Sequence, residues 1–480
     1  MELMNLLETG IPIYQQTFGV SLNWIGNLIR LLISGVGIVG VGIILFSLIL
    51  KLITMPFDIY QRISMRKQNN KMKENQERME KLKKQYANDE KLYNQKVAEM
   101  YRESGMSLFS SCLPMILSMV IFIVAINAFN AYSQYANVQN YNAMVNAYNA
   151  ELQQYTADLT EDNLKYELSE DGSTVIFTVA DTNADSDKYF YYRTSYAIPQ
   201  NESGAYVYEY NADEAIAYIS GAKKNYYIDT EKAKTNADVQ AAIEAKAEDV
   251  TEEAAIYNYF VGKAQDAVVT EYDTTIKKNT SFLWIKNIWA TDASYKHPVM
   301  KYSAFYAEAK QEKFKVGNTK VKYSKIDEYS NAYSEDAYNM VTAKLDAQKK
   351  QANGYYILIV LSIGTILLQQ FVMMRSQKEQ QKFATVDGQG AGQQKIMLIV
   401  MTGMFAIFSF MYSSAFSIYM ITSNLFSMLS TLVINKFVDL AAAKEDNAAT
   451  IRSFHNHSTA RIEAAKQAGK ASASRKNRKK

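Results

Sequence analysis

Long apolar runs alternate with polar, charged segments along this chain. A helix needs about 20 apolar residues to cross a bilayer core of about 30 Å. Five segments approach that length: residues 35–54, 108–130, 354–374, 396–412 and 414–434. The mean hydropathy of the whole chain is only −0.22 because the intervening segments are so polar. The pattern predicts an all-α polytopic membrane protein with five transmembrane helices.

The first polar region, residues 1–34, is predicted to be a segment outside the cytoplasm. Within it, residues 22–34 mix apolar and polar positions at helical spacing. That spacing suits a helix lying in the membrane interface, and it suits a plain extension of the first span equally well.

The second polar region, residues 55–107, has the pattern of a helical hairpin. Apolar residues recur every seven positions from Met65 to Tyr86, Asn88 and Asp89 offer a turn, and a second helix is predicted to end at Gly105. A narrow apolar seam among charged residues is typical of paired helices. The hairpin is either a connector or a mobile docking arm.

The longest polar region, residues 131–353, is predicted to be an inserted α+β domain. Heptad-spaced tyrosines from Tyr141 to Tyr155 continue the second span outward, and residues 231–272 have a helical pattern. Alternating apolar and polar positions predict β-strands in three segments. These are residues 165–180, 187–198 and 205–211.

The distribution of charge predicts the orientation of these regions. Residues 55–107 carry 12 basic and 8 acidic side chains, residues 375–395 carry 4 and 2, and residues 435–480 carry 11 and 4. Residues 131–353 carry 23 basic and 33 acidic side chains. Because basic loops stay in the cytoplasm, the hairpin, the loop and the tail are predicted to lie inside. The N-terminus and the inserted domain are then extracytoplasmic.

The sequence offers no pattern for catalysis or for a cofactor. A single cysteine, Cys112, excludes an intrachain disulfide. His455 and His457 lie in a polar tail with no nearby thiol, so we predict no metal site there. The common catalytic and phosphate-binding motifs are absent. We therefore predict no catalytic residue, no cofactor and no enzyme activity.

The candidate functional residues are polar residues inside the predicted spans. Lys51 lies near the inner end of the first span, and polar positions form one stripe in the third span and another in the fifth. Both features have an ordinary structural explanation: a lone lysine can extend to the headgroups, and polar stripes can join helices by hydrogen bonds. An intramembrane charge is costly, so a hydrated cavity is the functional interpretation. The stripes are Ser362, Thr365 and Gln369, and Ser417, Asn424, Ser427 and Thr431.

Four stretches of the chain resemble the YidC/Oxa membrane protein insertases, in matching order. They are LILKLITMPF, YRESGMSLFSSCLPMILSMVIF, FLWIKNIWATD and SSAFSIYMITSNLFSML. The second stretch is the most specific, because the family's hairpin also ends in a glycine and enters the next span through Cys-Leu-Pro. The resemblance covers the spans and the hairpin, which is under half of the chain.

The resemblance implies a groove that opens to the cytoplasm and the lipid and is closed outside. Lys51 takes the place of the family's groove arginine. Gln369 and Met420 fall at groove positions, and Ser417 and Asn424 lie on the same span as Met420. Departures from the family pattern are Lys51 for arginine, Met420 for tryptophan, Ser118 and Val120 for glutamine and proline, and the large insertion.

The implied function is insertion of client proteins into a bacterial cell membrane, with nascent membrane proteins and membrane lipids as partners. The basic tail, residues 435–480, suggests contact with the ribosome or with anionic lipid. The Sec translocon is a further candidate partner. Two other functions remain open: a transporter or channel, and a membrane-anchored adhesion or sensor protein.

Overall fold

The computed structural model describes residues 10–103, 108–376, 389–437 and 440. Most of the predicted loop 375–395, nearly all of the basic tail with its histidine pair, and Gly105 lie outside the described residues. The chain divides into two compact units. The first comprises residues 1–43, 126–358 and 410–416, and the second comprises residues 44–125, 359–409 and 417–480.

The first helix, α1 (Trp24–Val36), is separate from the helix that follows it. The side chain of Asn23 caps its first turn, and Gly37 ends it with a left-handed φ of 74°, a backbone conformation that glycine adopts without steric cost. A Cβ on Gly42 would lie 2.8 Å from the Cα of Ile33, so the absence of a side chain lets the two helices pack closely.

Helix α2 (Val39–Glu74) runs through the predicted first span and continues into the polar hairpin. Helices α3 (Gln76–Gln85) and α4 (Glu90–Glu103) complete the hairpin. The carboxylate of Asp89 accepts a hydrogen bond of 2.9 Å from the backbone of Leu92, which caps α4.

Helix α5 (Leu108–Gln153) is a single element of 46 residues. It contains the predicted span 108–130 and continues beyond it for about six turns. Tyr141 and Tyr148 on this extension are buried in the core of the first unit. The heptad of tyrosines is therefore a packed face rather than a solvent-facing stripe.

Residues 154–350 form two small sheets and several short helices. The strands β1 (Leu164–Leu168), β2 (Thr174–Val179), β3 (Phe190–Ala197) and β4 (Asn225–Ile228) pair antiparallel in sequence order. The strands β5 (Lys313–Val316) and β6 (Thr319–Lys322) form a separate hairpin. The helices are α6 (Ala212–Gly221), α7 (Thr230–Ala233), α8 (Ala237–Glu244), α9 (Glu252–Glu271), α10 (Lys277–Thr280), α11 (Tyr302–Ala309), α12 (Glu335–Val341) and α13 (Asp346–Lys350).

The strand pattern differs from the prediction at residues 205–211 and at β4, β5 and β6, which the sequence pattern did not predict. Residues 205–211 alternate in sequence but form no extended strand; only an isolated bridge joins Tyr206 to Gln200. The fourth position of the sheet is taken by β4 instead. Its four residues are too short a pattern to be distinguished from a loop without the pairing to β3.

The N-terminal segment packs within the first unit and forms backbone hydrogen bonds there. The backbone of Ile11 donates to Tyr226 O at 3.0 Å, and Ser21 donates to Lys313 O at 3.0 Å, so the segment touches both sheets. Phe18 and Val20 are buried in the same hydrophobic core as Tyr148. These contacts hold residues 10–21 against the polar region that lies between the second and third predicted spans.

Three further long helices follow: α14 (Ile357–Ser376), α15 (Gln389–Met411) and α16 (Ser414–Phe437). Within the described residues, three segments are long and apolar enough to cross a membrane. They are Val39–Tyr60, Ile357–Arg375 and Ser414–Phe437. The other two predicted spans lie on α5 and α15.

Candidate functional site

The five residues proposed to line a groove all belong to the second unit. Lys51 on α2 and Gln369 on α14 are partly buried. Ser417, Met420 and Asn424 on α16 are buried, with at most 8% of each side chain exposed. The three α16 positions fall three, four or seven residues apart, which puts them on one face of the helix.

Two of the predicted polar stripes meet through one hydrogen bond. The side-chain amide of Asn424 on α16 donates to the hydroxyl of Thr365 on α14 at 3.4 Å. The sequence placed these residues on separate stripes, and the structure joins them. A hydrogen bond between membrane helices is typically worth about 0.6 kcal/mol, so this contact orients side chains more than it holds the helices together.

Helix α15 also bonds to the polar side of α14, which the sequence did not predict. The hydroxyls of Ser362 and Ser409 lie 2.9 Å apart, and both side chains are fully buried. Nearer the other end of α14, Thr402 donates to Gln370 at 3.1 Å. Ser409 and Thr402 are seven residues apart on α15, so helical spacing was the signal that could have found them.

The remaining hydroxyls of the α16 stripe differ in what they bond. Thr431 donates to the carbonyl of Ser427 at 2.6 Å, so its hydroxyl is satisfied within its own helix. Ser417 is 1% exposed, and its hydroxyl has no hydrogen-bond partner among the residues that the structure describes. The Ser417 hydroxyl is buried from water, so its hydrogen-bonding capacity is unused within the part of the chain that the structure describes.

Lys51 is the one cation among the five proposed groove residues. It lies five residues before Pro56 within α2, and its backbone carbonyl accepts a hydrogen bond from Thr54 at 3.1 Å. It interacts electrostatically with Asp58, which lies two helical turns further along the same helix. A cation in a helix centre costs about 2.5–3.5 kcal/mol on insertion scales, which favours a hydrated setting for this side chain. Among the described residues, no group of histidine, cysteine, aspartate or glutamate side chains could hold a metal ion.

The segment Phe282–Asp292 belongs to the first unit and binds the starts of two membrane helices. The buried carboxylate of Asp292 accepts backbone hydrogen bonds from Tyr355 and Leu358, each of 2.6 Å. These are N–H groups at the start of α14, where no helical carbonyl is available to them. A Cβ on Gly354 would overlap the Asp292 carboxylate, so glycine is required beside this cap.

The same segment bonds to the connection between α15 and α16. The carbonyl of Ala290 accepts from the backbone of Ser414 at 2.9 Å and from its hydroxyl at 2.7 Å. The Thr291 hydroxyl donates to Tyr412 O at 2.9 Å. Asn353 reinforces this junction, because its amide donates to the carbonyls of Asn287 and Thr291. One loop thus ties together the ends of three helices.

These helices define a polytopic membrane protein, whose polar region lies among apolar spans. The chain belongs to the YidC/Oxa family: the family model described as "60Kd inner membrane protein" matches residues 31–182 and 254–442. Residues 183–253, which include β3, α6 and β4, lie between the two matched ranges.

Curated relatives are similar over shorter stretches. The membrane protein insertase YidC of Caldanaerobacter subterraneus is 36% identical over 98 residues, which are 20% of this chain and 46% of that protein. The proteins of the same name from Fusobacterium nucleatum and Clostridium tetani are 36% and 37% identical, over 18% and 19% of this chain and 40% of each relative. The matched stretch thus spans less than half the length of these relatives. No solved structure gives a significant match.

Proposed function

We propose that this protein inserts client proteins into the cytoplasmic membrane of a bacterium through a hydrophilic groove open to the cytoplasm and the lipid. The observation that carries the proposal is a cation, Lys51, in the same compact unit as the bonded pair Asn424 and Thr365. Membership of the YidC/Oxa family supports it, as do the insertase names of the relatives.

The groove would act by lowering the cost of moving a polar segment partway across the bilayer. Lys51 would attract acidic or polar client segments, while Asn424 and Gln369 would offer hydrogen bonds to the client or to water. Met420 would provide an adaptable apolar wall, because its unbranched side chain repacks readily. No covalent step is involved.

The topology that we propose has five spans, with the N-terminus and the α+β region 131–353 outside. The hydrogen bonds from Ile11 and Ser21 to the two sheets support one part of it, since they require residues 10–21 and the inserted region to lie on the same side of the membrane. The charge distribution supports the direction. The hairpin 55–107, the loop 375–395 and the tail 435–480 would then be cytoplasmic.

Segment Phe282–Asp292 joins helix ends that the proposed topology places on the outer side of the membrane. Its bonds to the start of α14 and to Ser414 hold the outer ends of these helices together. A closed outer end distinguishes an insertase from a channel, whose water path must reach both sides. The ribosome, through the basic tail, and the Sec translocon are proposed partners of this activity.

Depletion of a bacterium's native insertase, followed by expression of this chain, tests the proposal. We expect growth and client insertion to be restored. A chain that reaches the membrane in normal amounts but inserts no client would contradict the proposal. Solute flux through the purified protein in liposomes would favour a transporter or channel instead.

A further inference from the structure

The two edges of the four-stranded sheet in the first unit differ. At one edge, the N-terminal segment covers β4, because Ile11 donates to Tyr226 O at 3.0 Å and Gly10 forms a bridge with Tyr227. At the other edge, β1 pairs only with β2 in the part of the chain that the structure describes. An uncovered edge strand can pair with a further strand, and proteins usually protect such edges.

Alternate residues of β1 turn their backbone groups toward this open edge. Ser169, which directly follows β1, donates to Thr174 O at 2.9 Å, so the odd-numbered residues of the strand bond to β2. The N–H and C=O groups of Tyr166 and Leu168 therefore point away from β2. They have no hydrogen-bond partner among the described residues. Such a row of unpaired groups is what an added strand binds.

The core face of the sheet is also incompletely covered at this edge. Tyr166 pairs with Phe177, and Leu168 pairs with Val175, so these side chains share one face of the sheet. The two β2 side chains are buried, whereas Tyr166 is 43% and Leu168 is 53% exposed. The ring of Tyr210 stacks on Tyr166 with 4.5 Å between centroids, yet both remain more than a third exposed. A further strand beside β1 would bury this apolar surface.

The charges on β1 indicate what that further strand is. Lys165 and Glu167 lie on the opposite face of the strand from Tyr166, and both are exposed. Opposite charges directly across two antiparallel strands are favourable, and like charges are unfavourable. Because the two charges have opposite signs and are two residues apart, β1 is complementary to a second β1. Lys165 of each copy can then lie opposite Glu167 of the other.

One register of this pairing satisfies every group at the edge. It is centred on Tyr166, so that the Tyr166 backbones of the two copies exchange two hydrogen bonds across a two-fold axis. Leu168 then lies opposite Leu164 of the second copy, on the core face. Registers centred on Lys165 or Glu167 would place like charges directly opposite each other and are therefore disfavoured.

We propose that β1 pairs antiparallel with β1 of a second copy of this chain, which joins two four-stranded sheets into one of eight strands. Backbone hydrogen bonds at Tyr166 and Leu168 and two ion pairs between Lys165 and Glu167 of opposite copies hold the strands together. The contact involves one short strand from each copy, so the dimer is weak and reversible.

Disulfide formation between copies of the full chain in membrane vesicles tests the register. In a background of Cys112→Ser, Tyr166→Cys should form a linked dimer on mild oxidation, because the paired Cα atoms would lie about 5.5 Å apart. Glu167→Cys alone should not, because its two copies would be offset diagonally by about 7–8 Å. Chains carrying Lys165→Cys and Glu167→Cys under different tags should link to each other.

Two outcomes of this oxidation would overturn the proposal. One is a Tyr166→Cys chain that forms no dimer, or that links only to a different protein. The other is a Glu167→Cys dimer as abundant as the Tyr166→Cys dimer, which would indicate random collision or another register.

Reversal of the charges tests the ion pairs without a cysteine at the edge. Energy transfer between donor-labelled and acceptor-labelled copies of the full chain in liposomes measures association. Glu167→Lys places lysines opposite each other at two positions and should weaken association about tenfold. The double variant Lys165→Glu and Glu167→Lys restores both pairs and should associate like the parent. Glu248→Lys makes the same charge change at an exposed position outside β1 and is the control.

Rescue by the second reversal separates pairing from misfolding, because a chain damaged by Glu167→Lys would not recover when Lys165 is also changed. A double variant that associates no better than Glu167→Lys would contradict the proposed pairing. Equal association of the parent and Glu167→Lys would contradict it as well.

Discussion

The carboxylate of Asp292 accepts a hydrogen bond of 2.6 Å from the backbone N–H of Leu358, 66 residues further along the chain. With a second bond from Tyr355, it caps the start of α14 from a loop that also bonds to Ser414. The residue thus holds a membrane helix at its end by backbone contacts that no local sequence pattern reveals.

Replacing Asp292 with alanine should destabilise the start of α14. The buried N–H groups would lose their acceptor, at a cost of about 2 kcal/mol. Hydrogen exchange over residues 355–360 of the purified protein should therefore become faster. Asp292→Asn, which keeps one acceptor oxygen, should give an intermediate rate. Exchange at the parent's rate in Asp292→Ala would contradict the capping role.

Two carboxyl groups of the inserted region should make its stability depend on pH. Burial raises the pKa of Glu308 and of Glu312 to about 7, from an ordinary value of 4.5. Glu308 also accepts a hydrogen bond of 2.8 Å from Asn137. Because the folded pKa is raised, the stability that the neutral carboxyl contributes is fully present below pH 4.5 and is lost as the pH rises through 7.

Glu308→Gln places a side chain that is neutral at every pH in this position, and so tests the dependence of stability on pH. Above pH 7 the variant should be more stable than the parent by about 2 kcal/mol, and below pH 4.5 the two should be similar. Thermal unfolding between pH 4 and 9 measures the difference. Glu248→Gln, at an exposed position, is the control and should follow the parent. Parallel curves for Glu308→Gln and the parent would refute the assignment.

The proposed topology predicts which positions an impermeant thiol reagent reaches in intact cells. In a background with Cys112 replaced by serine, Glu202→Cys should be labelled and Lys83→Cys should not, because the basic hairpin stays in the cytoplasm. Both side chains are exposed, so access depends on the side of the membrane alone. The reverse labelling pattern would invert the orientation.

Lys51 should be required for insertion as a positive charge. Lys51→Arg keeps the charge and should retain activity, whereas Lys51→Leu should fold at least as well as the parent and insert clients about tenfold less. Lys51→Glu should abolish insertion. Protease protection of a client in proteoliposomes, at matched protein levels, measures each variant.

The control for this series is Lys436→Leu, which removes an exposed lysine near the end of α16. It should leave insertion unchanged. If Lys51 only extends to the headgroups, then Lys51→Leu and Lys51→Glu will protect the client as well as the parent does. In that case the groove charge has no role, and the insertase proposal would depend on family membership alone.

The basic tail should contribute to ribosome association in a salt-dependent manner. Removing residues 472–480 deletes five of the eleven basic residues of the tail. Each contact with a phosphate releases counterions, so the truncated chain should co-sediment less with ribosomes at low salt and show a shallower salt dependence. Unchanged co-sedimentation at low salt would exclude this role.

The sequence alone determined which segments of this protein belong in lipid and which belong in water. Long apolar runs belong in lipid, so residues 354–374 and 414–434 could be placed as membrane helices without any tertiary contact, and α14 and α16 lie there. Local turns were equally accessible: the Asp171–Gly172 turn between β1 and β2 and the Asp89 cap of α4 need only neighbouring residues.

Only the tertiary structure decided which polar groups meet. Asn424 bonds to Thr365 across 59 residues, and Ser362 lies against Ser409 rather than against α16. Backbone pairing is likewise non-local, so β4 replaces residues 205–211 in the sheet, and the N-terminal segment joins both sheets. Each of these choices depends on long-range packing, because many hydroxyls and amides along the chain could have made the same bonds. The sequence shows which polar side chains could form hydrogen bonds, and the fold decides which of them bond to each other.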